Sequence, residues 1–271
     1  MVQLMRLSPH LVAKPWGRTD IPSYFSAGPD AIGEVWYDQA AGALPILVKW
    51  LFTSERLSIQ VHPNDAQARA CGLSSGKEEC WIVTEALPGA TLGIGTRHPL
   101  TATELRDAAL SGAIEDMMDW RPVKPGDWFH IAPGTVHAIG AGVTLVEIQQ
   151  NADVTYRLYD YGRPRELHLD DGIPVSRAAP YSDPRCGSLP PPSQLQRLTA
   201  CAHFEIFYGA QNAFMALAHS DIWLIPISGS IRFGDLTAAV GDVLFGKADD
   251  AGVPSDDFVF LLARVPQNTA S

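Results

Sequence analysis

The sequence predicts an all-β protein built mainly from antiparallel strands, and three observations carry that expectation. Short apolar runs of roughly four to eight residues recur, rich in β-branched and aromatic side chains: "GEVWYDQ", "PILVKWLF", "LSIQVHP", "EECWIVTEA", "TLGIG", "DWFHIAPG" and "VTLVEIQQ". Gly, Pro, Asn and Asp stand between the runs, where turns joining paired strands need them. Helical periodicity is confined to two segments in the first two thirds of the chain. The first, 101–119, opens with Thr101 and Glu104 at capping-box spacing and has an apolar stripe of Leu105, Ala109, Leu110 and Ile114. The second, 166–176, is weaker, because Gly172 and Pro174 would cut it short.

Residues 179–195, "APYSDPRCGSLPPPSQL", are rich in Pro and Ser and lack periodicity, so they read as a linker or wrapping segment. Strand patterning resumes after it in "HFEIFYGA", "FMALA", "DIWLIPISGSIRFGDLTAAVGDVLFG" and "DDFVFLLARV". The series "GSIRFGDLTAAVGDVLF" is similar in pattern to "KPGDWFHIAPG" of the first half, so the halves read as two copies of one β-fold. The second copy has lost its polar residues. Only His203 and His219 remain there, and neither sits in a motif. The expected organisation is therefore a domain over 1–178 with a helical insertion at about 101–119, a linker over 179–195 and a smaller β domain over 196–271.

With 271 residues, 46% of them hydrophobic, the chain can bury a large core. Thirty acidic against twenty basic residues give a formal charge of −10, and no run of Lys or Arg could track a phosphate backbone, which argues against nucleic acid as a partner. The opening "MVQLMRLSPHLVAKPWG" has no uninterrupted apolar core of a leader, and no later stretch approaches the length that crosses a bilayer. The expectation is a cytoplasmic location without a membrane partner. Cys71, Cys80, Cys186 and Cys201 are scattered, so reduced thiols are expected rather than a disulfide framework or a thiolate metal site.

The chemistry concentrates in the first half. In "LSIQVHPNDAQA", Gln60 and His62 stand two residues apart in a strand and so point to one face, just before Pro63. Glu78 and Glu79 in "GKEECW" and His137 in "APGTVHAIG" place further metal-competent groups beside turn glycines and prolines. Imidazole, carboxylate and amide oxygen are borderline-to-hard ligands that suit zinc with an open coordination position, the arrangement of a catalytic site.

Four ordered motifs carry a family resemblance: "PILVKWLF" with "LSIQVHPND", "GKEECW", "PGTVHAI", and "TLVEIQQNADVTYRLYDY" with "RELHL". Together they resemble class I mannose-6-phosphate isomerases, the zinc-dependent cupin type in its short bacterial form. The match runs from "KPWG" at 14–17 through "RELHL" at 165–169, and beyond it the likeness is one of pattern only. The resemblance implies a cupin jelly roll followed by a degenerate, metal-free β-barrel. It also implies one zinc ion per chain, held by Gln60, His62, Glu79 and His137. Glu79 rather than Glu78 takes the ligand position because the family motif places its glutamate directly before a small residue and a tryptophan, here Cys80 and Trp81. Glu78 departs from the threonine, serine or proline usual in the family; it stands either as an extra carboxylate beside the ligand or as a solvent-facing side chain.

The implied reaction interconverts mannose 6-phosphate and fructose 6-phosphate, with a sugar phosphate as the small-molecule partner. It needs a Lewis acid for developing oxyanion charge and a base within reach of C1 and C2. Among the matching positions Glu147 and His62 are the candidate bases, and the residues do not choose between them. Arg157 would stabilise oxyanion charge without titrating, Asp153 would orient Arg157 or a substrate hydroxyl, and Lys77 lies at the substrate end of the site. Lys49 and Ser58 are the expected phosphate donors; a lysine inside the run "PILVKWLF" is costly to bury without an anionic partner. Trp16 in "PWG" matches as well, although packing alone explains an aromatic there. Two other classes remain open from sequence: an iron-dependent cupin oxygenase, and a non-catalytic sugar-binding or sensory cupin.

Overall fold

The computed structural model describes residues 4–25, 28–38, 44–217, 220–248 and 251–267. His219 lies outside the described residues. Strands dominate, and every apolar run of the first half named above contains one. All their named pairings are antiparallel.

A seven-stranded sheet forms the middle of the molecule, in the spatial order Cys186–Ser188, Asp127–Ile131, Glu79–Ala86, Val143–Gln150, Ile46–Phe52, Ile32–Tyr37 and His10–Arg18. Every residue of Ile46–Phe52 and of Val143–Gln150 is buried. Such strands are covered on both faces, which is why they read as continuous apolar runs and not as an alternation. Alternation persists in what each face meets. Val48, Trp50, Phe52, Cys80, Ile82, Val146 and Ile148 pack in one core with Phe204, Ile206, Trp223, Ile225 and Leu261 of the C-terminal half. Leu51, Trp81, Val83 and Leu145 face the other way and pack with Leu92, Ile94 and Ile139.

Those last three belong to a five-stranded sheet with the order Tyr156–Tyr159, Ile59–Val61, His137–Ile139, Thr91–Thr96 and Met118–Pro122. Helices close its outer surface: Leu105, Ala108, Ala109, Leu169 and Ile173 pack on Ile59, Val61, Ala138 and Leu158. The C-terminal half contributes a six-stranded sheet, whose edge strand Met5–Arg6 comes from the beginning of the chain, and a three-stranded sheet of Leu236–Ala239, Ser230–Phe233 and Val253–Pro254. Within the segment 179–195, Cys186–Ser188 pairs with Asp127–Ile131 and extends the central sheet.

Several local expectations need correction. The capping box of Thr101 and Glu104 forms, but the helix is Ala102–Ser111, ending at Gly112 in a left-handed conformation (φ 81°); Ile114–Met117 is a separate turn and Met118 opens a strand. Leu110, placed in the apolar stripe, is 66% exposed, and Ala108 takes its place in the core. The second helix is Leu169–Val175 and runs through both expected breakers. Gly172 is there for contact: a Cβ would meet Leu158 Cδ2 at 2.7 Å. Pro174 falls one residue from the end, where little helix remains to disrupt. Residues 214–217 of "FMALA" form no strand but lie in a 3-10 turn, Ala213–Leu217, burying Phe214; its last alanine lies outside the described residues. A short helix, Asp65–Ala70, was missed, although Asn64 and Gln67 form a reciprocal capping box. All four cysteines are free, as expected, and no helix among the described residues is long and apolar enough to cross a membrane.

Because one core joins both halves, Phe204→Ala should remove about 3–5 kcal/mol and lower the urea midpoint of a single transition for the whole chain. An unchanged midpoint, or a shift confined to a separate transition of the C-terminal half, would contradict the shared core.

Candidate metal centre and substrate cavity

Register across the two sheets assembles the site. On the central sheet, Trp36, Lys49, Glu147 and Trp81 are successive cross-strand partners. On the five-stranded sheet, Arg157, Gln60 and His137 form a second such row. The rows meet at a cavity of about 300 Å³, lined by Lys49, Ser58, Gln60, Lys77, Glu147 and Arg157 among others. His62 and Glu79 are not among its lining residues and are 1% and 0% exposed.

His62, Glu79 and His137 place their ligand atoms within 4.8 Å of one another. Glu79 Oε2 lies 3.5 Å from His62 Nε2, and Glu79 Oε1 lies 3.4 Å from His137 Nε2. The tautomer of His137 follows from its other nitrogen: Nδ1 donates to the Thr135 carbonyl at 2.8 Å, which leaves the Nε2 lone pair directed at the cluster. Burial lowers both imidazoles, His137 to about 4 and His62 well below its ordinary value, with the Lys77 ammonium adding to the effect on His62. Burial, and then the charge of Glu147, push Glu79 up. Glu79 Oε1 has no hydrogen-bond partner. Neutral imidazoles and a buried carboxylate converging in this way are suited to a divalent cation, so the donor set fits a metal. Gln60 adjoins it: Nε2 is 3.3 Å from His137 Nε2, and Oε1 accepts from Ser58 Oγ at 3.1 Å. A half-turn of the amide would present the oxygen to the cluster.

Lys77 links this cluster to the cavity. Its Nζ is 2.7 Å from Glu79 Oε2, 3.2 Å from His62 Nε2 and 3.3 Å from Glu147 Oε1. Burial opposes its charge, but Glu147 and Glu79 outweigh burial and hold the ammonium above its ordinary value. Glu147 is likewise kept ionised against burial by Lys77 and Lys49. The backbone around Lys77 is fixed from the opposite direction. Lys77 N donates to Pro63 O at 3.0 Å, Gly76 N donates to Asp65 Oδ1 at 2.9 Å, and a Cβ on Gly76 would stand 2.5 Å from Pro63 O. The turn before Glu79 is thus pressed against the turn after His62.

The other expected residues divide. Lys49 is buried, with Glu147 Oε2 at 4.0 Å and the Trp36 ring at 4.1 Å, so it has the anionic partner its position demanded. Trp16 is buried and lines the cavity. Asp153 lines it as an exposed side chain; Arg157 lines it too and is held by the segment that follows it, where NH1 donates to Glu166 O at 2.9 Å and the backbone NH donates to His168 Nδ1 at 3.1 Å. Glu78 is neither beside the metal-competent atoms nor solvent-facing; its carboxylate meets His130 Nε2 at 2.7 Å. Lys14, Glu34 and Arg165 also line the cavity and were missed. Glu34 carried a usable signal, a carboxylate inside the apolar run "GEVWY", the same kind of signal that singled out Lys49.

Comparison with known proteins finds mannose-6-phosphate isomerases. A mannose-6-phosphate isomerase of Streptococcus mutans is 38% identical over 148 residues, 52% of this chain and 46% of that protein. The crystal structure of mannose 6-phosphate isomerase from Bacillus subtilis superimposes with a TM-score of 0.75 at 24% identity, covering 96% of this chain and 98% of that one. In sequence and fold the chain resembles the mannose-6-phosphate isomerases. Its architecture is their all-β cupin fold. A zinc-bound mannose 6-phosphate isomerase shares the fold as well, with a TM-score of 0.72 at 14% identity over 98% of this chain and 100% of that one. The sequence alignments cover about half the length of the curated relatives that the chain matches. No family model matches it.

Because burial lowers both imidazoles, metal uptake near neutral pH should release no proton from His62 or His137. Burial and the Glu147 charge raise Glu79, so affinity weakens as falling pH protonates its carboxylate. Calorimetry in buffers of different ionisation enthalpy counts the protons released; two or more per ion would contradict the neutral imidazoles.

Proposed function

We propose that the chain is a zinc-dependent aldose–ketose isomerase interconverting mannose 6-phosphate and fructose 6-phosphate, with Gln60, His62, Glu79 and His137 as the zinc ligands. The observation that carries this reading is the convergence of two imidazoles and a carboxylate that Lys77 and Gln60, both lining residues, connect to a cavity rich in basic side chains. Nitrogen and oxygen donors suit zinc, and a zinc-bound mannose 6-phosphate isomerase has the same fold. Bound there, the ion would supply a Lewis acid for negative charge on the sugar oxygens.

The chain's own residues divide the remaining work. Five basic side chains (Lys14, Lys49, Lys77, Arg157, Arg165) line the cavity against three acidic ones (Glu34, Glu147, Asp153), in a chain whose net charge is −10. A positive cavity in an acidic protein selects an anionic substrate. Lys49 and Ser58 are assigned to the phosphate. Arg157 faces developing oxyanion charge with a guanidinium whose Nε has no hydrogen-bond partner. Glu147 is assigned the proton transfer between C2 and C1, because it is ionised and lines the cavity, whereas His62 is not among the lining residues and its Nε2 is engaged by Lys77 and Glu79. Lys77 steadies the Glu147 charge, and Asp153 is left for a substrate hydroxyl.

A domain over 1–178 carries these groups, and residues 196–271 form a metal-free β domain that braces it. A phosphorylated substrate, free cysteines and an acidic net charge favour a cytoplasmic enzyme that does not bind nucleic acid.

The decisive assay couples mannose 6-phosphate turnover to fructose 6-phosphate detection, with unphosphorylated mannose beside it, on zinc-loaded protein. Chelation should abolish turnover and zinc restore it; turnover that survives complete metal removal would sink the proposal. Glu147→Gln should lower kcat by about 10²–10⁴-fold, and Arg157→Ala by about 10²-fold, with zinc content unchanged. Loss of zinc in step with activity would move either residue out of the chemistry.

A further inference from the structure

Glu78 has no part in the cavity, yet its side chain is only 12% exposed and ion-paired. Oε1 accepts from His130 Nε2 at 2.7 Å. His130 is wholly buried on the neighbouring strand Asp127–Ile131, and its Nδ1 lies 3.1 Å from Thr199 Oγ1 on the strand Gln196–Ala200 of the six-stranded sheet. Arg185 NH1 at 3.7 Å and His203 Nε2 at 3.8 Å approach the same carboxylate. A carboxylate next to a metal ligand, an imidazole from the adjoining strand and a hydroxyl from the C-terminal half thus form one buried chain.

The period of two along the strand gives this chain its significance. Glu78 and Cys80 face the C-terminal half, where Cys80 shares a core with Phe204 and Ile206, and Glu79 between them faces the metal-competent cluster. The backbone is clamped at the same place: Glu78 N donates to Gln150 Oε1 at 2.9 Å, and Gln150 N donates to Glu78 O at 3.0 Å. A rotation of the strand that eased Glu78 out of its pairing would swing Glu79 with it. Buried polar pairs resist such rotation because breaking one leaves both partners desolvated.

We propose that Glu78 is a positioning residue: through His130 and Thr199 it anchors the metal-facing strand to the C-terminal sheet, and that sheet thereby contributes to metal affinity. This rests on Glu79 being a zinc ligand. Outer partners that orient ligands typically change affinity by about 10–100-fold when removed.

Zinc affinity of the full chain, measured by chelator competition well below the melting temperature, tests the link. Glu78→Ala should weaken zinc by about tenfold or more, and Glu78→Gln, which keeps an acceptor for His130, should recover most of the loss. The isosteric Thr199→Val tests the link from the far end should Glu78→Ala fold poorly, and should weaken zinc in the same direction. Leu262→Ala, in the separate core of the C-terminal half, should lower the melting temperature while leaving zinc affinity within about twofold. Unchanged affinity in Thr199→Val, or an equal loss in Leu262→Ala, would overturn the positioning role. Wild-type protein that takes up no zinc would overturn the metal assignment itself, a distinct result.

Discussion

The structure depends on one sheet being buried on both sides. In Ile46–Phe52, Glu79–Ala86 and Val143–Gln150, neighbouring residues serve opposite purposes: one parity builds the cavity, the other builds the contact with the C-terminal half. A slip of one residue in any of these strands would exchange the two sets, placing Lys49 or Glu147 in an apolar core and Trp50 or Val146 in the cavity. Register is therefore specified from both faces at once. Lys49 and Glu147 stand directly opposite each other in that register, so the pairing of the strands is also the pairing of the charges.

Charge balance is the second constraint. Lys49, Lys77, Glu79 and Glu147 are each nearly or wholly buried, and their formal charges cancel when all four are ionised. A buried quartet of this kind tolerates its desolvation only as a unit. A divalent cation entering at Glu79 would leave an excess of positive charge, which an anionic substrate would offset. Under the proposed function, metal and phosphate recognition would be two halves of one electrostatic problem.

Much of this was readable in the sequence because the relevant signals are local. Gln60 and His62 announced a shared face by spacing alone, Lys49 stood out as a charge in an apolar run, and ordered motifs pointed to the fold and to the residues of the cluster. What escaped was non-local. The partners of Glu78 come from residues 130, 185, 199 and 203, which no spacing rule brings together. Arg157 is held by Glu166 and His168 instead of Asp153, a matter of how the chain turns after Tyr159. The breakers in Leu169–Val175 misled for the same reason: Gly172 answers to the side chain of Leu158 and not to its own helix. Asn64 with Gln67 was a local signal overlooked, hidden by the ligand motif that precedes it.

The contact of Gly76 with Pro63 bears on the thermodynamics of ligation. His62 and Glu79 are joined by a loop that, free in solution, would have to be closed at an entropic cost before both could reach one ion. Here the closure is complete in the folded chain, with Asp65–Ala70 as a stiff insert and backbone hydrogen bonds at the neck. An arriving ion would find little disorder left to remove between these two side chains, so more of the intrinsic bond energy would remain as affinity.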